Sequence, residues 1–407
     1  MALQHLEALC TAALENLRQE GRLKGQEHVI TAVCPPRDGF GPRYLLHGYG
    51  ERPFLRMNAN AYLGFNTDPR VIAAAEEAAR RFGTGPGAVR FISGTFQPHI
   101  ALEQRLAAFH ARPACMLFSA AYAAVLGIVP LLMTEQTLVL SDALNHNCII
   151  NAMRLAQPAA KAVYRHLDTA HIHTLLEQYR GQARRVLLVT DGVFSMRGDM
   201  APLGDIVEVC ERHQSAYEEG IITVVDDSHG VGACGAHGRG TEEQTGARAD
   251  ILIGTLGKAL GVNGGYVVSS QTLIAYCREM APLYIYSNPL TPAEAAAALQ
   301  ALRLLDSDEG VARLRAVQAV AAQLRTGLQR LGYETLPGVH PIVPVLVRHT
   351  ARTRALVQHL FAHNILATGL AYPVVPQGDE EIRLQLSATH TARDVDYVLE
   401  VLHGWRL

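Results

Sequence analysis

The stretch Asp250-Ile-Leu-Ile-Gly-Thr-Leu-Gly-Lys258-Ala-Leu-Gly-Val-Asn-Gly-Gly-Tyr266 joins a short apolar run to a glycine-rich turn that carries Lys258. The apolar run is typical of a buried strand, and the glycines after it predict a tight turn. Of the 36 Lys and Arg residues in the chain, only three are Lys, at positions 24, 161 and 258. Arginine stays protonated, whereas a buried lysine can lose its proton and act as an amine nucleophile. We therefore interpret Lys258 as a chemically active group, with a lysine on a surface turn as the alternative.

Length and composition indicate a globular protein that acts on small molecules. The 407 residues are 49% hydrophobic with a formal net charge of −2, which allows a large core in two or three domains. Without a basic stripe or charged tail, this balance argues against nucleic acid or a membrane as a partner. Seven scattered cysteines without a C-x-x-C pair are typical of free thiols in a reducing compartment. No secretion signal or membrane-spanning run is recognisable, so we expect a cytoplasmic location.

The apolar pattern predicts strands that alternate with helices, as in an α/β fold with a mostly parallel sheet covered on both faces. The predicted strands are 137–140, 186–190, 221–225, 251–253 and 265–268, and the predicted helices among them are 71–82, 99–110 and 203–213. Before them we predict a helix over 2–22 that ends at Gly21, a turn-rich arm over 34–53 and a strand at 54–57. After them we predict one long helical stretch over 293–331 and a smaller α/β unit. The predicted parts are an N-terminal helix and arm (1–53), a large domain (54–292) and a small C-terminal domain (293–407).

Asp226 and His229 follow the predicted strand 221–225. In open parallel sheets, ligands bind beyond the carboxyl ends of the strands. An acid in this place suits pyridoxal phosphate (PLP), because a carboxylate beside the pyridine nitrogen keeps it protonated and the ring able to accept electrons. The alternative is that Asp226 is an ordinary turn residue that caps the next segment.

Two glycine motifs resemble nucleotide-binding fingerprints but lack their context. Gly230-Val-Gly-Ala-Cys-Gly235 matches G-x-G-x-x-G after a strand, yet the following Ala-His-Gly-Arg-Gly240 breaks a helix. The acid expected at the end of a second strand is missing, because Asp250 precedes its strand. The segment 254–259 is two residues too short for a phosphate loop and has no Ser or Thr after Lys258. We therefore do not expect nicotinamide binding.

The start of a helix after the apolar run 115–118 predicts a phosphate site. Ser119-Ala-Ala-Tyr122 opens this helix, and its free N–H groups and dipole favour an anion. Tyr122 is also placed to cover a ring, and an ordinary capped helix is the alternative. His146 and Ser195 follow two further predicted strands and add polar groups to the same edge.

Three histidines, His166, His171 and His173, cluster near the entry to another helix. Neither a cysteine nor an acid stands at ligand spacing from them, so we do not expect a metal site.

Eight short segments follow one another in a characteristic order. They are Asn60-Ala-Tyr-Leu-Gly64, Arg90-Phe-Ile-Ser-Gly-Thr95 with His99 and Leu102-Glu103, Ser141-Asp-Ala-Leu-Asn-His146, Thr190-Asp-Gly-Val-Phe-Ser195, Val225-Asp-Asp-Ser-His-Gly-Val-Gly232, Gly238-Arg-Gly-Thr241, Thr255-Leu-Gly-Lys258 and Glu381-Ile-Arg383. This order resembles the α-oxoamine synthase family of PLP enzymes, over nearly all of the chain from residue 54. The resemblance is strongest to the glycine C-acetyltransferase (2-amino-3-ketobutyrate CoA ligase) branch, through segments such as Tyr286-Ser-Asn288 and Tyr372-Pro-Val-Val-Pro376. The 8-amino-7-oxononanoate synthase branch comes next.

The resemblance implies a fold-type-I PLP-dependent transferase, similar to aspartate aminotransferase, that forms a homodimer with active sites at the subunit interface. It implies that Lys258 holds the cofactor as a Schiff base and later moves the substrate α-proton. The other implied cofactor contacts are Asp226 at the pyridine nitrogen, His146 stacked on the ring, Ser195 and His229 near the ring hydroxyl, Thr255 with the N–H groups of Ala121 and Tyr122 at the phosphate, and Ser287, with Asn288, at the partner subunit's phosphate. Arg383 would bind the amino acid carboxylate in a bidentate way, with Asn60 near the substrate.

The implied reaction condenses a small amino acid with an acyl thioester and releases the thiol. We expect glycine with acetyl-CoA or another acyl-CoA, and an α-amino-β-keto acid or its decarboxylated aminoketone as product. The alternatives are an 8-amino-7-oxononanoate or specialised-metabolite synthase, another PLP reaction such as aminotransfer, and a non-catalytic partner subunit. The presence of Lys258, Asp226, His146 and His229 argues against the last. Departures from the family pattern at Ala124 and Asn263 leave the acyl donor, its carrier and the amino acid open.

Overall fold

The computed structural model of the protein describes residues 2–20, 22–23, 27–372 and 374–405, so the predicted helix end at Gly21 lies outside the described residues. The helices are α1 (Ala2–Gln19), α2 (Pro69–Phe82), α3 (Gln97–Phe109), α4 (Ala121–Ile128), α5 (Asn147–Leu155), α6 (Thr169–Gln178), α7 (Leu203–His213), α8 (Thr241–Thr245), α9 (Gln271–Met280), α10 (Pro282–Ile285), α11 (Pro292–Leu305), α12 (Asp308–Arg330), α13 (Thr350–Ala362) and α14 (Ala392–His403). The strands are β1 (Ile30–Cys34), β2 (Arg43–Leu46), β3 (Leu55–Arg56), β4 (Ala114–Phe118), β5 (Thr137–Asp142), β6 (Ala160–Tyr164), β7 (Arg185–Asp191), β8 (Ile221–Asp226), β9 (Ile251–Thr255), β10 (Gly265–Ser269), β11 (Glu334–Thr335), β12 (Ile342–Leu346), β13 (Ile365–Leu366), β14 (Thr368–Leu370) and β15 (Glu381–Gln385).

A seven-stranded sheet forms the centre of the fold, in the order β4-β10-β9-β8-β7-β5-β6. Strands β5 to β9 pair in parallel, and β10 runs antiparallel to both of its neighbours. The predicted mostly parallel sheet is therefore confirmed. Because parallel strands end at the same edge, the residues that follow β5, β7, β8 and β9 meet there.

The central sheet buries apolar side chains on both faces. Along β7, Val186 and Leu188 pack into one hydrophobic cluster with α6 and α7, and Leu187 and Val189 pack into another with α4, α5 and α9. This alternation follows from the two-residue period of a strand. Burial of both faces explains why the strands appear in the sequence as continuous apolar runs.

The C-terminal part contains a four-stranded antiparallel sheet, β11-β12-β15-β14, packed against α12, α13 and α14. The single helical stretch predicted over 293–331 is wrong, because α11 ends at Leu305 and α12 begins at Asp308. Between them, Ser307 caps α12 by accepting a hydrogen bond from the Gly310 N–H at 3.4 Å. A Cβ on Gly310 would lie 2.0 Å from the Leu305 carbonyl oxygen, so this glycine permits the sharp connection.

The N-terminal segment is more regular than the predicted turn-rich arm. Strands β1 and β2 form an antiparallel hairpin, and β3 pairs in parallel with β13 of the C-terminal part. The Pro and Gly residues over 34–53 hid β2 from the sequence pattern. Helix α1 has no buried residue, and its leucines, including Leu3 and Leu9, are exposed.

The largest hydrophobic cluster combines side chains from both predicted domains. It includes Leu106 and Leu252 from the large domain and Leu324, Val345 and Leu384 from the small one. The domain border at residue 292 stays a prediction. Among the described residues, no helix is both long enough and apolar enough to cross a membrane.

Candidate active site

A cavity of about 240 Å³ lies at the edge where the parallel strands end. Its walls are Ala120, Ala121, Tyr122, His146, Cys148, Asp191, Val193, Ser195, Asp226, Ser228, His229, Thr255 and Lys258. All the cofactor residues predicted from the sequence, with the exception of Ser287 and Asn288, are therefore in one place.

Lys258 stands in the turn between β9 and β10. In this turn Gly261 has a φ of 72°, and a Cβ on it would lie 2.4 Å from the backbone nitrogen of Asn66. Only glycine permits this close backbone contact. Burial lowers the pKa of the Lys258 amine, although the nearby Asp226 and Asp191 raise it. A lowered pKa increases the fraction of neutral amine, which is the nucleophilic and basic form.

Two carboxylates, Asp191 and Asp226, end the neighbouring strands β7 and β8 and are direct partners in the sheet register. Asp226 accepts a hydrogen bond from the Ser228 N–H at 3.1 Å, and Asp191 accepts one from the His146 N–H at 2.9 Å. Burial and the charge of Asp226 raise the pKa of Asp191 well above its usual range. A proton held on Asp191 removes the like-charge repulsion within the pair.

His146 caps the start of α5 and presents its ring to the cavity. Its Nδ1 accepts a hydrogen bond from the Cys148 N–H at 3.3 Å, so the proton of the neutral ring is on Nε2. Burial lowers the pKa of His146, and the charge of Lys258 adds to this effect against the opposing charge of Asp226. The residue nevertheless keeps exposed surface towards the cavity. A neutral, accessible ring in this position can stack on a planar ligand.

The start of α4 forms another wall of the cavity. Ala120 precedes the helix without a side-chain cap, which leaves the first N–H groups of Ala121 and Tyr122 available to an anion. A Cβ on Gly265 would lie 2.3 Å from the Ala121 nitrogen, so this glycine allows β10 to approach the helix start. The Thr255 hydroxyl, which donates to the Gly264 carbonyl at 3.2 Å, lies at the same wall. These groups fit the phosphate of PLP.

A chain of hydrogen bonds connects His229 with Asn60. The Tyr62 hydroxyl oxygen lies 2.7 Å from His229 Nδ1 and donates to Asn60 Oδ1 at 3.3 Å. Gln385 Nε2 also donates to Asn60 Oδ1, and His340 Nε2 lies 2.8 Å from the His229 carbonyl oxygen. Burial and the charge of Lys258 hold the pKa of His229 well below its usual range. His229 is therefore a neutral, firmly held side chain, and Asn60 lies beside the cavity wall.

Arg383 reaches from β15 towards the cavity. Its Nη1 donates to the carbonyl oxygen of Ser195, a wall residue, at 2.6 Å. Its Nε is buried and has no hydrogen-bond partner among the described residues. Burial lowers the pKa of this guanidinium, which still stays protonated at neutral pH. A half-buried arginine whose Nε is a buried, unused donor fits a carboxylate ligand.

Ser287 and Asn288 lie apart from the cavity, in the segment between α10 and α11. The neighbouring Tyr286 is 79% exposed, so this segment is at the protein surface. The predicted contact of Ser287 with the phosphate of a partner subunit stays a prediction.

Asp191, Cys148, Tyr62 and Gln385 are among the residues of this site that have no role in the sequence analysis. Asp191 ends a strand in the same way as Asp226, and Gln385 stands two residues after Arg383, so both had a usable signal. Cys148 and Tyr62 had none, because their partners Asp226 and His229 are 78 and 167 residues away along the chain.

His166 belongs to a separate polar cluster. Its Nδ1 lies 2.8 Å from Asp142 and its Nε2 3.2 Å from Asp199, two acids that the local sequence did not reveal. Burial lowers the pKa of His166, but the two carboxylates raise it overall to about 9. Within the described ranges, no group of three or more His, Cys, Asp or Glu side chains could hold a metal ion.

Comparison with known proteins extends these observations. The aminotransferase class I and II family matches residues 52–402. The 8-amino-7-oxononanoate synthase of Thermosipho melanesiensis is 40% identical over 349 residues, which cover 85% of this chain and 86% of that protein. The structure of Sphingomonas wittichii serine palmitoyltransferase has a TM-score of 0.88 at 28% identity, covering 97% of this chain and 96% of that one. A high-resolution structure of SPT with a PLP internal aldimine has a TM-score of 0.86 at 27% identity, covering 99% and 97%.

Proposed function

The chain belongs to the aminotransferase class I and II family, within its α-oxoamine synthases, and we propose that it forms 8-amino-7-oxononanoate or a close analogue. The fold-type-I transferase fold and the PLP cofactor predicted from the sequence are confirmed by the family match and the PLP-bound structural relative. The similar proteins support the expected reaction of glycine with acetyl-CoA less well than the alternative, an 8-amino-7-oxononanoate synthase. Relatives from two organisms, at 40% and 39% identity, are both 8-amino-7-oxononanoate synthases.

The carbon skeleton of this product defines the two proposed substrates. The bond between C7 and C8 joins a seven-carbon acyl group, which ends in a carboxylate, to a CH(NH2)–CH3 unit. That unit is alanine without its carboxyl carbon. We therefore propose alanine and a thioester of a seven-carbon dicarboxylic acid as substrates, with carbon dioxide and a free thiol as the other products.

We assign the cofactor contacts to the cavity walls. Lys258 would hold PLP covalently, Asp226 would pair with the pyridine nitrogen and His146 would stack on the ring. The start of α4 and the Thr255 hydroxyl would hold the phosphate, with His229 and Ser195 near the ring hydroxyl. When bound, PLP supplies an electron sink that stabilises a carbanion at the α-carbon of an attached amino acid.

The remaining steps belong to side chains of this protein. Arg383 would hold the alanine carboxylate through its unused Nε, and Asn60 would lie beside it. This contact would orient the α-carbon towards Lys258. Once free, the Lys258 amine would take the α-proton, and its lowered pKa favours the neutral form that this step needs.

One observation carries the proposal: a lysine, an acid, an accessible histidine and an uncapped helix start surround one cavity, in a chain 40% identical to such a synthase. Visible absorption of the PLP-loaded protein during titration with alanine, glycine, serine and threonine tests it. We expect alanine to shift the spectrum, and the seven-carbon thioester then to release carbon dioxide and thiol in equal amounts.

Other outcomes of this titration identify other functions. A shift with glycine alone, followed by turnover with acetyl-CoA, would make the protein a glycine acetyltransferase. Turnover with an amino donor and no thioester would indicate aminotransfer. No cofactor band after addition of PLP would leave only a non-catalytic subunit.

The role of Arg383 has its own test. We expect Arg383→Ala to raise the KM for alanine far more than the KM for the thioester, because the carboxylate loses its charged partner. An unchanged KM for alanine would remove Arg383 from the site.

We also propose that the partners are small molecules and a second copy of this chain. In that homodimer Ser287 would contact the phosphate bound by the partner subunit. Light scattering of the purified protein measures the oligomeric state, and a monomer would contradict this part of the proposal.

A further inference from the structure

Strand β15 carries a row of polar side chains with unused hydrogen-bonding atoms. Glu381, Arg383 and Gln385 are spaced two residues apart and therefore face the same side of their sheet. On that side Arg383 contacts Ser195 and Gln385 contacts Asn60. In the described part of the chain, Glu381 Oε1, Arg383 Nε and Gln385 Oε1 are buried without a hydrogen-bond partner. Since buried polar groups are normally paired, this row is built to meet polar groups of a ligand.

Glu381 is the acidic member of the row. The residue is 2% exposed, and within the described ranges its Oε1 has no hydrogen-bond partner. The charged groups that act on it are Arg197, Arg383, Asp199 and Asp379. Its strand neighbours on β12 and β14, Leu346 and Leu370, are uncharged. Burial raises the pKa of Glu381 to about 8, although Arg197 and Arg383 lower it.

The charge state of Glu381 decides what Arg383 can bind. At pH 7 the acid is mostly neutral, so the Arg383 guanidinium has no anion on this side of the strand. Above pH 8 the acid ionises. It then places a carboxylate on the same face of β15 as Arg383, two residues before it. Two carboxylates that compete for one half-buried arginine repel each other, and one of them must be protonated or leave.

We propose that Glu381 determines the affinity of the site for the amino acid: its neutral form leaves Arg383 free for the substrate carboxylate, and its ionised form pairs with Arg383 and excludes that carboxylate. This inference rests on the proposed function of Arg383 as the carboxylate ligand. It makes Glu381 a positioning residue that sets, through its own charge, how tightly Arg383 binds the amino acid carboxylate.

Proton linkage sets the size of the effect. If the amino acid binds only when Glu381 is protonated, its Kd rises about tenfold between pH 7 and pH 9 for an acid that titrates near pH 8.

The test compares Glu381→Gln with Glu380→Gln in the PLP-loaded protein. Gln mimics the neutral acid in shape and hydrogen bonding. Glu380 is the matched control, because it is the neighbouring buried acid just before β15, and its carboxylate accepts hydrogen bonds from the Thr350 hydroxyl and the Gly378 N–H, both at 3.0 Å. The Kd for alanine is measured from the absorption change between pH 7 and pH 9.

We expect the Kd of the wild type and of Glu380→Gln to rise about tenfold more over this range than the Kd of Glu381→Gln. Equal pH dependence in all three proteins would overturn the inference. Calorimetry of the wild type with alanine, in buffers of different ionisation enthalpy, repeats the test without any variant. Proton uptake should be about half a proton greater at pH 8 than at pH 6, and equal uptake would also overturn the inference.

Arg383→Ala separates this inference from the proposed function. If this variant binds alanine as tightly as the wild type, the carboxylate role of Arg383 is wrong and the inference falls with it. If it loses alanine binding while Glu381→Gln keeps the wild-type pH dependence, only the role of Glu381 is wrong.

Discussion

The adjacent acids Asp226 and Asp227 provide the sharpest test of the cofactor site, because both are buried and only one of them lines the cavity. Asp227 instead accepts hydrogen bonds from the Thr241 N–H at 2.7 Å and from the Thr241 hydroxyl. We expect Asp226→Asn to weaken PLP binding and abolish most activity. We expect Asp227→Asn to leave PLP binding unchanged.

The magnitude for Asp226→Asn follows from its burial, since the residue is 6% exposed. Asn keeps the shape and the hydrogen bond from the Ser228 N–H, but it cannot place a negative charge beside the protonated pyridine nitrogen. Removal of one partner from a buried, hydrogen-bonded charge pair costs about 2–5 kcal/mol. The Kd for PLP is therefore expected to rise by roughly 30- to 5,000-fold.

Asp227 is expected to affect stability instead. A Cβ on Gly240 or Gly230 would lie 1.8 or 2.0 Å from its carboxylate oxygens, so backbone encloses the acid. Burial raises the pKa of Asp227 from 3.8 to about 7, although hydrogen bonds from Thr241 lower it. The folded state thus binds more protons than the unfolded state, and this contribution is complete below pH 3.8 and lost as pH rises through 7. The loss amounts to about 4 kcal/mol, and Asp227→Asn removes this pH dependence.

The assay measures the PLP affinity of both variants by dialysis of the apoprotein, and their urea midpoints at pH 5 and pH 8. The wild type should lose stability between these pH values, and Asp227→Asn should lose less. The reasoning is refuted if the two substitutions weaken PLP binding equally, or if Asp226→Asn keeps the wild-type Kd and kcat.

Two further substitutions test the lysine and the phosphate wall. Lys258→Ala should abolish turnover. Borohydride should no longer attach the cofactor to the chain, because no other amine lines the described cavity. Turnover at the wild-type rate would contradict the mechanism. Gly265→Ala should raise the Kd for PLP by about tenfold or more while leaving phosphate-free pyridoxal unaffected, because the new Cβ displaces the Ala121 nitrogen. Gly204→Ala is its control, since a Cβ there meets nothing closer than 3.7 Å, and equal effects of the two substitutions would contradict the assignment of the phosphate.

The regular elements of the large domain were predictable because their burial repeats along the chain. Helix α7 has the predicted bounds 203–213, and the five predicted strands of the central sheet extend the predicted runs by only one or two residues, whereas β6 was not predicted. The break between α11 and α12 had a local signal that the prediction missed, because Asp306-Ser-Asp-Glu-Gly310 interrupts the apolar pattern and contains the serine that caps α12. The hairpin of β1 and β2 was hidden since its residues are mostly exposed or half-buried and show no alternation.

The site was predictable where a residue follows a strand, and less so where it depends on contacts across the fold. Asp226 ends one strand of the parallel sheet, and Lys258 and His146 follow the ends of two others within about four residues, so local sequence places them at its edge. The Tyr62 contact with His229 joins residues 167 positions apart, and no local pattern encodes it. Glu381 lies only two positions from Arg383, but its burial, which gives the acid its raised pKa, is a property of the packed domains.

The glycine motif 230–235 shows the limit of such patterns in physical terms. Each of its glycines makes room for an atom of the protein: a Cβ on Gly230 would lie 2.0 Å from Asp227, one on Gly232 2.3 Å from Ala259, and one on Gly235 2.2 Å from Glu243. Ala259 follows Lys258, so Gly232 allows the turn that carries Lys258 to pack against the segment after β8, the strand that ends at Asp226. A G-x-G-x-x-G pattern reports that something approaches the backbone closely, but not whether that is a pyrophosphate or a side chain. The residues after the motif carry that information, because a dinucleotide site needs a helix to begin there, and in this fold the next helix, α8, begins only at Thr241.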